Sequence, residues 1–287
     1  MDTIELETSY RSTCEEHLLF LNRIRDVQPD RPTLTEYFHG RHWKDASLEQ
    51  CVAHGLELAA AQGKVFTWLT HTNRGASSVC RAALAHRGIT DDDLLAGYPG
   101  DPTSKSNLRI LFRRGLVYRL TRNLDKARGF VNGALAVGYE ELDGNEVFIV
   151  RLLSSGNLAL VHPVEEKGQR FLPLTYGYAT TVRRAQGASL DMGCIYFDQK
   201  RRAAGRGYGY VAVSRFKTRE GCFLYGTLRQ TDFLPVGEGT ESEILERGVL
   251  SESTDSEEEF IECVAAGSDP HFSVDDIVSA LNPDFEP

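Results

Sequence analysis

The sequence lacks any apolar stretch long enough to cross a membrane, and it lacks closely paired cysteines. No run approaches the roughly eighteen apolar residues that a membrane-spanning helix requires. The first residues lack the basic segment that opens a secretory signal. The six cysteines contain no Cys-x-x-Cys pair, which disfavours both a disulfide framework and a zinc ribbon. These absences predict an intracellular protein, with the nucleus or an organelle as candidate sites, that is not secreted and has no membrane partner.

A phosphate-binding loop of the form Gly-x-x-x-x-Gly-Lys-Ser/Thr is also missing. The sequence has one Gly-Lys pair, Gly63-Lys64, but Leu58 and Val65 stand where the motif needs a glycine and a hydroxyl. Residues 194–198 end in an aspartate, as an Mg²⁺-holding strand does, but glutamine follows and no phosphate loop precedes them. We interpret this segment as an ordinary buried strand. We therefore expect that the chain alone holds neither ATP nor Mg²⁺.

Charge is distributed unevenly along the chain. Residues 237–287 contain fifteen acidic residues and one basic residue, whereas the remainder contains 26 acidic and 31 basic residues. The net charge of −9 therefore combines an acidic tail at −14 with a body at +5. A mildly basic body favours a nucleic-acid partner. The tail is too charged to bury, and we predict that it is largely disordered.

The pattern of apolar residues in the first half predicts alternating helices and strands. Apolar residues recur at helical spacing over 15–25, and alanine and leucine are frequent within 45–62. Residues 65–70 are typical of a buried strand, and a polar turn and a helix through 76–86 follow them. Such strand–turn–helix units indicate an α/β domain. Glycine, proline and aspartate in 91–106 predict a loop.

The middle of the chain is predicted to be rich in β-structure. Residues 116–121 are typical of a strand, and residues 146–153 and 158–161 are expected to pair across the turn at 154–157. After this region, residues 192–198 are predicted to form the next buried strand.

Two later segments carry the most specific signal. Residues 178–191 read Tyr-Ala-Thr-Thr-Val-Arg-Arg-Ala-Gln-Gly-Ala-Ser-Leu-Asp, and residues 208–219 read Tyr-Gly-Tyr-Val-Ala-Val-Ser-Arg-Phe-Lys-Thr-Arg. They resemble motifs V and VI of superfamily 1B DNA helicases of the Pif1/RecD type. The resemblance implies that motif V leaves a strand for a helix, and that Arg215 of motif VI reaches the γ-phosphate of ATP. A permanently charged, planar guanidinium suits the charge that develops in phosphoryl transfer. The alternative is an arginine in a helix cap or a surface ion pair.

Two further segments resemble the same family. Tyr10-Arg11-Ser12 is similar to the element that opens the second motor half, where its arginine also touches the γ-phosphate; the alternative for Arg11 is a plain surface arginine. Residues 122–133, with Asn-Leu-Asp followed by Gly-Phe-Val-Asn-Gly, resemble the element found before the SH3-like insertion of Pif1-type enzymes.

Motif V implies both nucleotide and strand contacts. Gln186 and Gly187 occupy the family's Gln-Gly position, which couples the nucleotide cleft to the DNA groove, and Thr181 occupies a DNA-facing hydroxyl position. The family commonly has His-Lys-Ser before the Gln-Gly pair, whereas this chain has Arg183 and Arg184 followed by alanine. Two guanidiniums should preserve affinity for phosphate, but the change puts the fine coupling of hydrolysis to strand movement in doubt.

The turn after the strand at 65–70 is the other predicted strand contact. Thr72 and Asn73 resemble a Thr-Asn pair that lies near the single strand in the family, and hydroxyl, amide and helix N-terminal N–H groups all suit phosphate oxygens. Both residues are also good helix caps. The two interpretations are compatible.

The resemblance implies the second motor domain of a RecA-like, P-loop-NTPase-type helicase. Its first part would span residues 1–115, a β-rich SH3-like insertion 116–172, the remainder with motifs V and VI 173–236, and the disordered tail 237–287. The implied function is the C-terminal part of an ATP-dependent 5′–3′ DNA helicase with single-stranded DNA as partner. ATP and Mg²⁺ would bind only in the motor assembled with a missing N-terminal ATP-binding half. The alternatives are a non-catalytic nucleic-acid-binding or regulatory protein derived from a helicase, or a truncated gene model.

Overall fold

A five-stranded parallel sheet forms the centre of the computed structural model, which describes residues 12–106, 108–142, 146–199 and 204–235. With strands numbered in chain order, the sheet contains β1 (His42–Trp43), β12 (Cys222–Tyr225), β11 (Met192–Tyr196), β2 (Phe66–Thr70) and β10 (Ala179–Thr181), in that spatial order. All four neighbouring pairs are parallel. The strands predicted at 65–70 and 192–198 are thereby confirmed.

Helices cover both faces of this sheet. The α-helices are α1 (Glu15–Asp26), α2 (Arg31–Tyr37), α3 (Leu48–Ala61), α4 (Asn73–His86), α5 (Asp91–Leu95) and α6 (Tyr208–Val213), and 3-10 helices span Pro102–Ser104 and Gln230–Phe233. The centre of β2 shows why both faces are covered. Phe66 and Trp68 pack into the core beneath α3 and α4, whereas Leu69 packs with α1 and α2 on the opposite side. A strand buried on both faces has a nearly continuous apolar sequence.

A second, antiparallel sheet follows in the middle of the chain. Its strands are β6 (Leu158–Val161), β5 (Val147–Leu152), β4 (Leu135–Leu142), β3 (Val117–Leu120) and β9 (Leu174–Tyr176), in that spatial order, and a separate hairpin joins β7 (Val164–Glu166) to β8 (Gln169–Phe171). The predicted pairing across residues 154–157 is confirmed, because β5 and β6 are antiparallel partners. The β-rich middle region is therefore present, and its sheet extends to Tyr176.

One apolar core joins the two sheets. Val79 and Ala83 of α4 belong to the same buried cluster as Tyr118 of β3 and Phe148 of β5. Close packing of such a core fixes the antiparallel sheet against α4 and the edge strand β10. Among the described residues, no helix is long and apolar enough to cross a membrane.

Two predictions of local structure are wrong. Residues 91–106 contain α5 and a 3-10 helix rather than an uninterrupted loop, because Thr90 and Asp93 form a reciprocal capping box that starts α5. Motif V does not leave β10 for a helix, because residues 182–187 form consecutive turns that end at Gly187 with φ of +86°. The predicted disordered tail at 237–287 and the predicted opening of the domain before Ser12 lie outside the described residues.

The buried side chain of His17 links α1 to the segment that follows α6. Its Nε2 lies 3.0 Å from the Phe216 carbonyl oxygen, and its Nδ1 lies 2.7 Å from the Tyr37 hydroxyl. Because the carbonyl only accepts, Nε2–H donates to it; in the neutral imidazole, which the lowered pKa of His17 favours, Nδ1 accepts from the Tyr37 hydroxyl. Burial lowers the pKa of His17; Phe216 and Glu220 oppose this effect and the charge of Arg41 adds to it.

We expect stability to decrease as the pH falls below about 6.5, because the unfolded chain then binds a proton that folded His17 resists. The lowered pKa makes this contribution fully present above 6.5 and lost on acidification. Urea unfolding at about pH 7.5 and about pH 5.5 measures it, with a ceiling of about 1.4 kcal/mol per pH unit for one group. His17→Gln, which is neutral throughout, should show a smaller change; an unchanged pH dependence in that variant would contradict this role.

Candidate nucleic-acid interface

Strands β2 and β10 end side by side, and the residues predicted to contact single-stranded DNA follow them. Thr181 pairs with Thr70 at the last position of each strand. Because the strands are parallel, the turns that follow them leave the same edge of the sheet. This carboxyl edge therefore brings Asn73, at the start of α4, near Arg184, which follows β10.

Thr72 caps α4 at this edge. Its hydroxyl accepts a hydrogen bond from the Gly75 N–H at 3.0 Å and donates one to the carboxylate of Asp198. The same carboxylate accepts from the main-chain N–H groups of His71 at 2.9 Å and Thr72 at 3.0 Å. The capping interpretation of Thr72 is confirmed, and its contact with a nucleic acid stays a prediction. Asp198, which follows β11, fixes the turn that carries Asn73.

A small basic cleft lies between α4, β10 and the 3-10 helix Pro102–Ser104. Its volume is about 50 Å³, and three predicted strand contacts, Asn73, Thr181 and Arg184, line it. Other polar lining residues include Ser77, Ser104, Lys105, Ser106, Arg119 and Thr175, and the remaining lining residues are Ala76, Cys80, Tyr176, Ala179 and Thr180. The described residues around it include no aspartate or glutamate. The cleft thus combines cationic groups with hydroxyl and amide groups, the chemistry that phosphate oxygens prefer.

The two arginines of motif V lie in different surroundings. Arg184 donates from Nη2 to the Thr103 carbonyl oxygen at 3.0 Å and from Nη1 to that of Ser104, so it anchors the 3-10 helix beside the cleft. Arg183 is exposed and lies near His71 and Tyr208. Burial lowers the pKa of His71; Asp198 opposes this effect, and Arg183 adds to it. The pair therefore presents positive charge on two sides of the same turn.

Arg119 of β3 is the residue of this cleft that the sequence predictions missed. Its Nη1 donates to the Gly133 carbonyl oxygen at 2.9 Å, but Nε and Nη2 are buried with no hydrogen-bond partner among the described residues. Burial lowers its pKa to about 10, with nearby Cys80 opposing and Arg184 adding to the effect. The available signal was a cation within the otherwise uncharged strand Val117–Leu120.

Arg215, which is predicted to reach ATP, lies toward the opposite ends of the strands. Arg215, 9% exposed, follows α6, and its guanidinium donates to the Val211 carbonyl oxygen at 3.1 Å and to the Ser214 hydroxyl at 2.9 Å. Its own carbonyl oxygen accepts from the Leu190 N–H at 2.8 Å, two residues before β11 begins. Arg215 therefore lies near the amino ends of the strands, and Arg11 lies outside the described residues.

The motif V segment connects the basic cleft to the region around Arg215. Residues 182–191 run from the carboxyl end of β10 to the amino end of β11, and the exposed pair Gln186 and Gly187 lies on this path. The structure thus brings Asn73, Thr181 and Arg184 into one cleft and does not place Arg215 with them. Within the described ranges, no group of three or more His, Cys, Asp or Glu residues is arranged to hold a metal. The contribution of Arg215, Gln186 and Gly187 to a nucleotide site stays a prediction.

Comparison with known proteins relates the chain to Pif1 helicases. No family model matches the sequence. The ATP-dependent DNA helicase PIF1 of Xenopus laevis is 33% identical over 138 residues, which are 45% of this chain and 20% of the relative. That of Danio rerio is 30% identical over 158 residues, which are 50% of this chain and 23% of the relative. The matched segment thus spans about a fifth of the length of these curated relatives.

Solved structures of Pif1 helicases are similar to this chain in fold. A Pif1 helicase from Bacteroides in complex with ADP-AlF3 and single-stranded DNA matches 87% of this chain and 57% of its own, with a TM-score of 0.58 and 19% identity. Pif1 helicase from Candida albicans matches 87% of this chain and 61% of its own, with a TM-score of 0.59 and 15% identity. The chain is thus similar in sequence to part of the PIF1 helicases of two vertebrates, and its α/β fold with a parallel sheet is similar to that of solved Pif1 helicases.

Proposed function

We propose that this chain forms the C-terminal part of an ATP-dependent DNA helicase of the Pif1 type and holds single-stranded DNA at the carboxyl edge of its parallel sheet. The observation that carries the proposal is the basic cleft, which gathers Asn73, Thr181 and Arg184 without a lining carboxylate among the described residues. Contacts of this kind attract the phosphate backbone and do not read bases. Binding should therefore be sensitive to salt and tolerant of sequence.

The proposed contribution to ATP hydrolysis is made by arginines. ATP, with Mg²⁺, supplies the transferable phosphoryl group and would be held mainly by an N-terminal half that carries a phosphate loop. Arg215 and Arg11 would stabilise the charge that develops on that group, next to Gln186 and Gly187. For this role the guanidinium of Arg215 must exchange its contacts with Val211 and Ser214 for the phosphate oxygens. The 5′–3′ direction of movement is part of the same proposal, by resemblance to the family.

The motif V segment supports coupling between the two sites. It is continuous from Thr181, at the strand-binding edge, to Leu190, whose N–H bonds the carbonyl oxygen of Arg215. In this proposal, a displacement of the DNA backbone at Thr181 changes the position of Leu190 and, through it, of Arg215. The β-rich sheet beyond β3 corresponds in this proposal to the SH3-like insertion.

A second candidate is a non-catalytic nucleic-acid-binding protein. The absence of a Gly-x-x-x-x-Gly-Lys-Ser/Thr motif from the sequence favours it. Both candidates predict DNA binding by this chain, and ATP turnover separates them. Restoration of DNA-stimulated turnover on addition of a Pif1-type ATP-binding half would support the motor function.

Substitution of Arg184 tests the strand contact. We expect Arg184→Ala to weaken binding of an oligothymidylate about tenfold and to reduce the slope of log affinity against log salt by about 0.7, the value for one phosphate contact on a single strand. Fluorescence anisotropy over about 50–200 mM salt measures both quantities. Arg25→Ala is the matched control, because Arg25 is an exposed arginine of α1 that pairs with Asp26. If both variants bind as the wild type does, the proposed strand contact is wrong.

A further inference from the structure

Arg119 is a partly buried cation for which the described residues supply no counter-ion. Two of its nitrogens, Nε and Nη2, are buried without a hydrogen-bond partner, although burying a charge without a partner is costly. Nearby Cys80 does not neutralise it, because burial raises the pKa of that thiol to about 12 and keeps it protonated at neutral pH. Arg119 itself, with a pKa of about 10, stays charged at neutral pH.

Its surroundings add positive charge instead of removing it. Arg184 lies near enough to lower the pKa of Arg119, and Lys105 lines the same cleft. The cationic side chains of Arg119, Arg184 and Lys105 thus line one cleft, and its described lining residues include no carboxylate. Ser77, Ser106 and Asn73 add hydroxyl and amide groups to the lining, and Ala76, Cys80 and Ala179 add apolar surface. An arrangement of cations with neutral hydrogen-bonding groups complements an oxyanion.

The cleft has room for a compact polar group. Its volume of about 50 Å³ is several times the roughly 10–15 Å³ that a cavity needs to hold one water molecule. A tetrahedral oxyanion is compact and offers several acceptor oxygens to a guanidinium fork. Nε and Nη2 of Arg119 lack partners among the described residues, and they must become accessible from the cleft before they can donate to such a group.

We propose that this cleft binds a single phosphate group, with Arg119 as its inner ligand. The proposal rests on the proposed function for the source of the phosphate, which would be the backbone of single-stranded DNA. It adds Arg119, from β3 of the antiparallel sheet, to a DNA contact whose other proposed residues, Asn73, Thr181 and Arg184, belong to the parallel-sheet domain. One phosphate held between the two sheets would fix the position of the strand relative to both.

The test compares Arg119→Met with Arg25→Met in the purified full chain. Methionine replaces the aliphatic stem of the arginine with an unbranched apolar chain and removes the guanidinium and its charge, and the control removes a cation from the surface of α1. Oligothymidylate affinity is measured across the salt range, and orthophosphate binding is measured separately by thermal shift. We expect Arg119→Met to weaken oligothymidylate binding about tenfold and to reduce the salt slope by about 0.7. Orthophosphate should raise the melting temperature of the wild type and the control but not that of Arg119→Met.

Oligothymidylate affinity and the orthophosphate thermal shift together distinguish a DNA phosphate from a free phosphate ion. If Arg119→Met loses only the orthophosphate effect, the cleft is a phosphate site for a free ion, and its link to DNA is wrong. If it changes neither response, Arg119 is not a phosphate ligand and the inference is overturned. If the wild type fails to bind oligothymidylate, the proposed function fails, while the orthophosphate arm still decides whether the cleft binds phosphate.

A folding control completes the design. Loss of the bond to the Gly133 carbonyl oxygen is one effect of Arg119→Met, and loss of an unpaired buried charge is an opposing one. The melting temperature without ligand reports their balance. Should that variant not fold, Arg119→Lys keeps the charge and removes the planar fork. We expect that variant to keep the salt slope of the wild type and to bind several-fold more weakly; wild-type affinity would contradict a guanidinium–phosphate contact.

Discussion

Arg215→Ala is expected to lower DNA-stimulated ATP turnover on the order of a thousand-fold when this chain acts with an ATP-binding half. The physical reason is that Arg11 alone would leave part of the charge on the transferring phosphoryl group unstabilised. The side chain of Arg215 is buried and bonded to Val211 and Ser214, so the proposed role requires it to move. Steady-state turnover with saturating single-stranded DNA measures the effect.

Two variants make this prediction specific. Arg215→Lys keeps the charge but not the bidentate geometry, so we expect it to recover only a small part of the activity. Lys217→Ala removes a half-exposed cation two residues away, which pairs with Asp191 at 2.6 Å, and should leave turnover nearly unchanged. Equal losses in Arg215→Ala and Lys217→Ala would point to general damage of the segment and would remove the case for an arginine finger.

The purified chain without a partner provides the complementary measurement. We expect it to bind single-stranded DNA but not to hydrolyse ATP, since its sequence has no phosphate loop. DNA-stimulated turnover by the chain alone that disappears in Arg215→Ala would show that the proposed division of labour with an ATP-binding half is wrong.

Asp198→Ala is expected to reduce the free energy of unfolding by about 2–4 kcal/mol, because it removes a charged acceptor from several donors at once. The carboxylate binds the N–H groups of His71 and Thr72 and the hydroxyl of Thr72. These bonds join the end of β11 to the turn between β2 and α4. Because that turn positions Asn73, DNA binding should weaken as well. Urea unfolding measures the stability change.

Substitution of Gly75 probes the same contact from the opposite side. A Cβ atom at this position would lie 2.5 Å from the Asp198 carboxyl carbon, and the hydrogen bonds of that carboxylate prevent it from moving aside freely. Gly75→Ala should therefore be destabilising, although alanine in a helix is normally favoured over glycine by about 1 kcal/mol. Asp191→Ala is the control, since its exposed ion pair should contribute about 1 kcal/mol or less. A neutral Asp198→Ala or a stabilising Gly75→Ala would contradict this account.

The predictions that succeeded depend on local pattern. Residues 65–70 are mostly apolar, which agrees with the burial of β2 on both faces, and the paired segments around 154–157 carry turn residues between alternating strands. The failures also have local causes. Residues 91–106 are rich in aspartate and proline, which are frequent in loops, but here Thr90, Asp93 and Pro102 start short helices. Turn residues and helix caps draw on the same amino acids, so composition alone does not separate them.

The candidate site depends on contacts between distant residues that the sequence patterns do not determine. Thr72 was equally suited to a cap and a strand contact, and the position of Asp198, more than a hundred residues later, decided how its hydroxyl is used. Arg183 and Arg184 are adjacent in motif V, yet they face different neighbours. Arg119 lay outside every motif, and its significance depends on the packing of β3 beside α4 and Arg184.

By itself, the sequence determined the α/β class, the order of the motifs and the residue types available for phosphate chemistry. These properties follow from the periodicity of apolar residues and from the chemistry of single side chains. Only the tertiary structure decided which cations converge, which are bonded to their own main chain and which are buried without a counter-ion. Those properties depend on contacts between residues far apart in the chain, and the parallel sheet and its neighbouring antiparallel sheet create these contacts when they pack around one core.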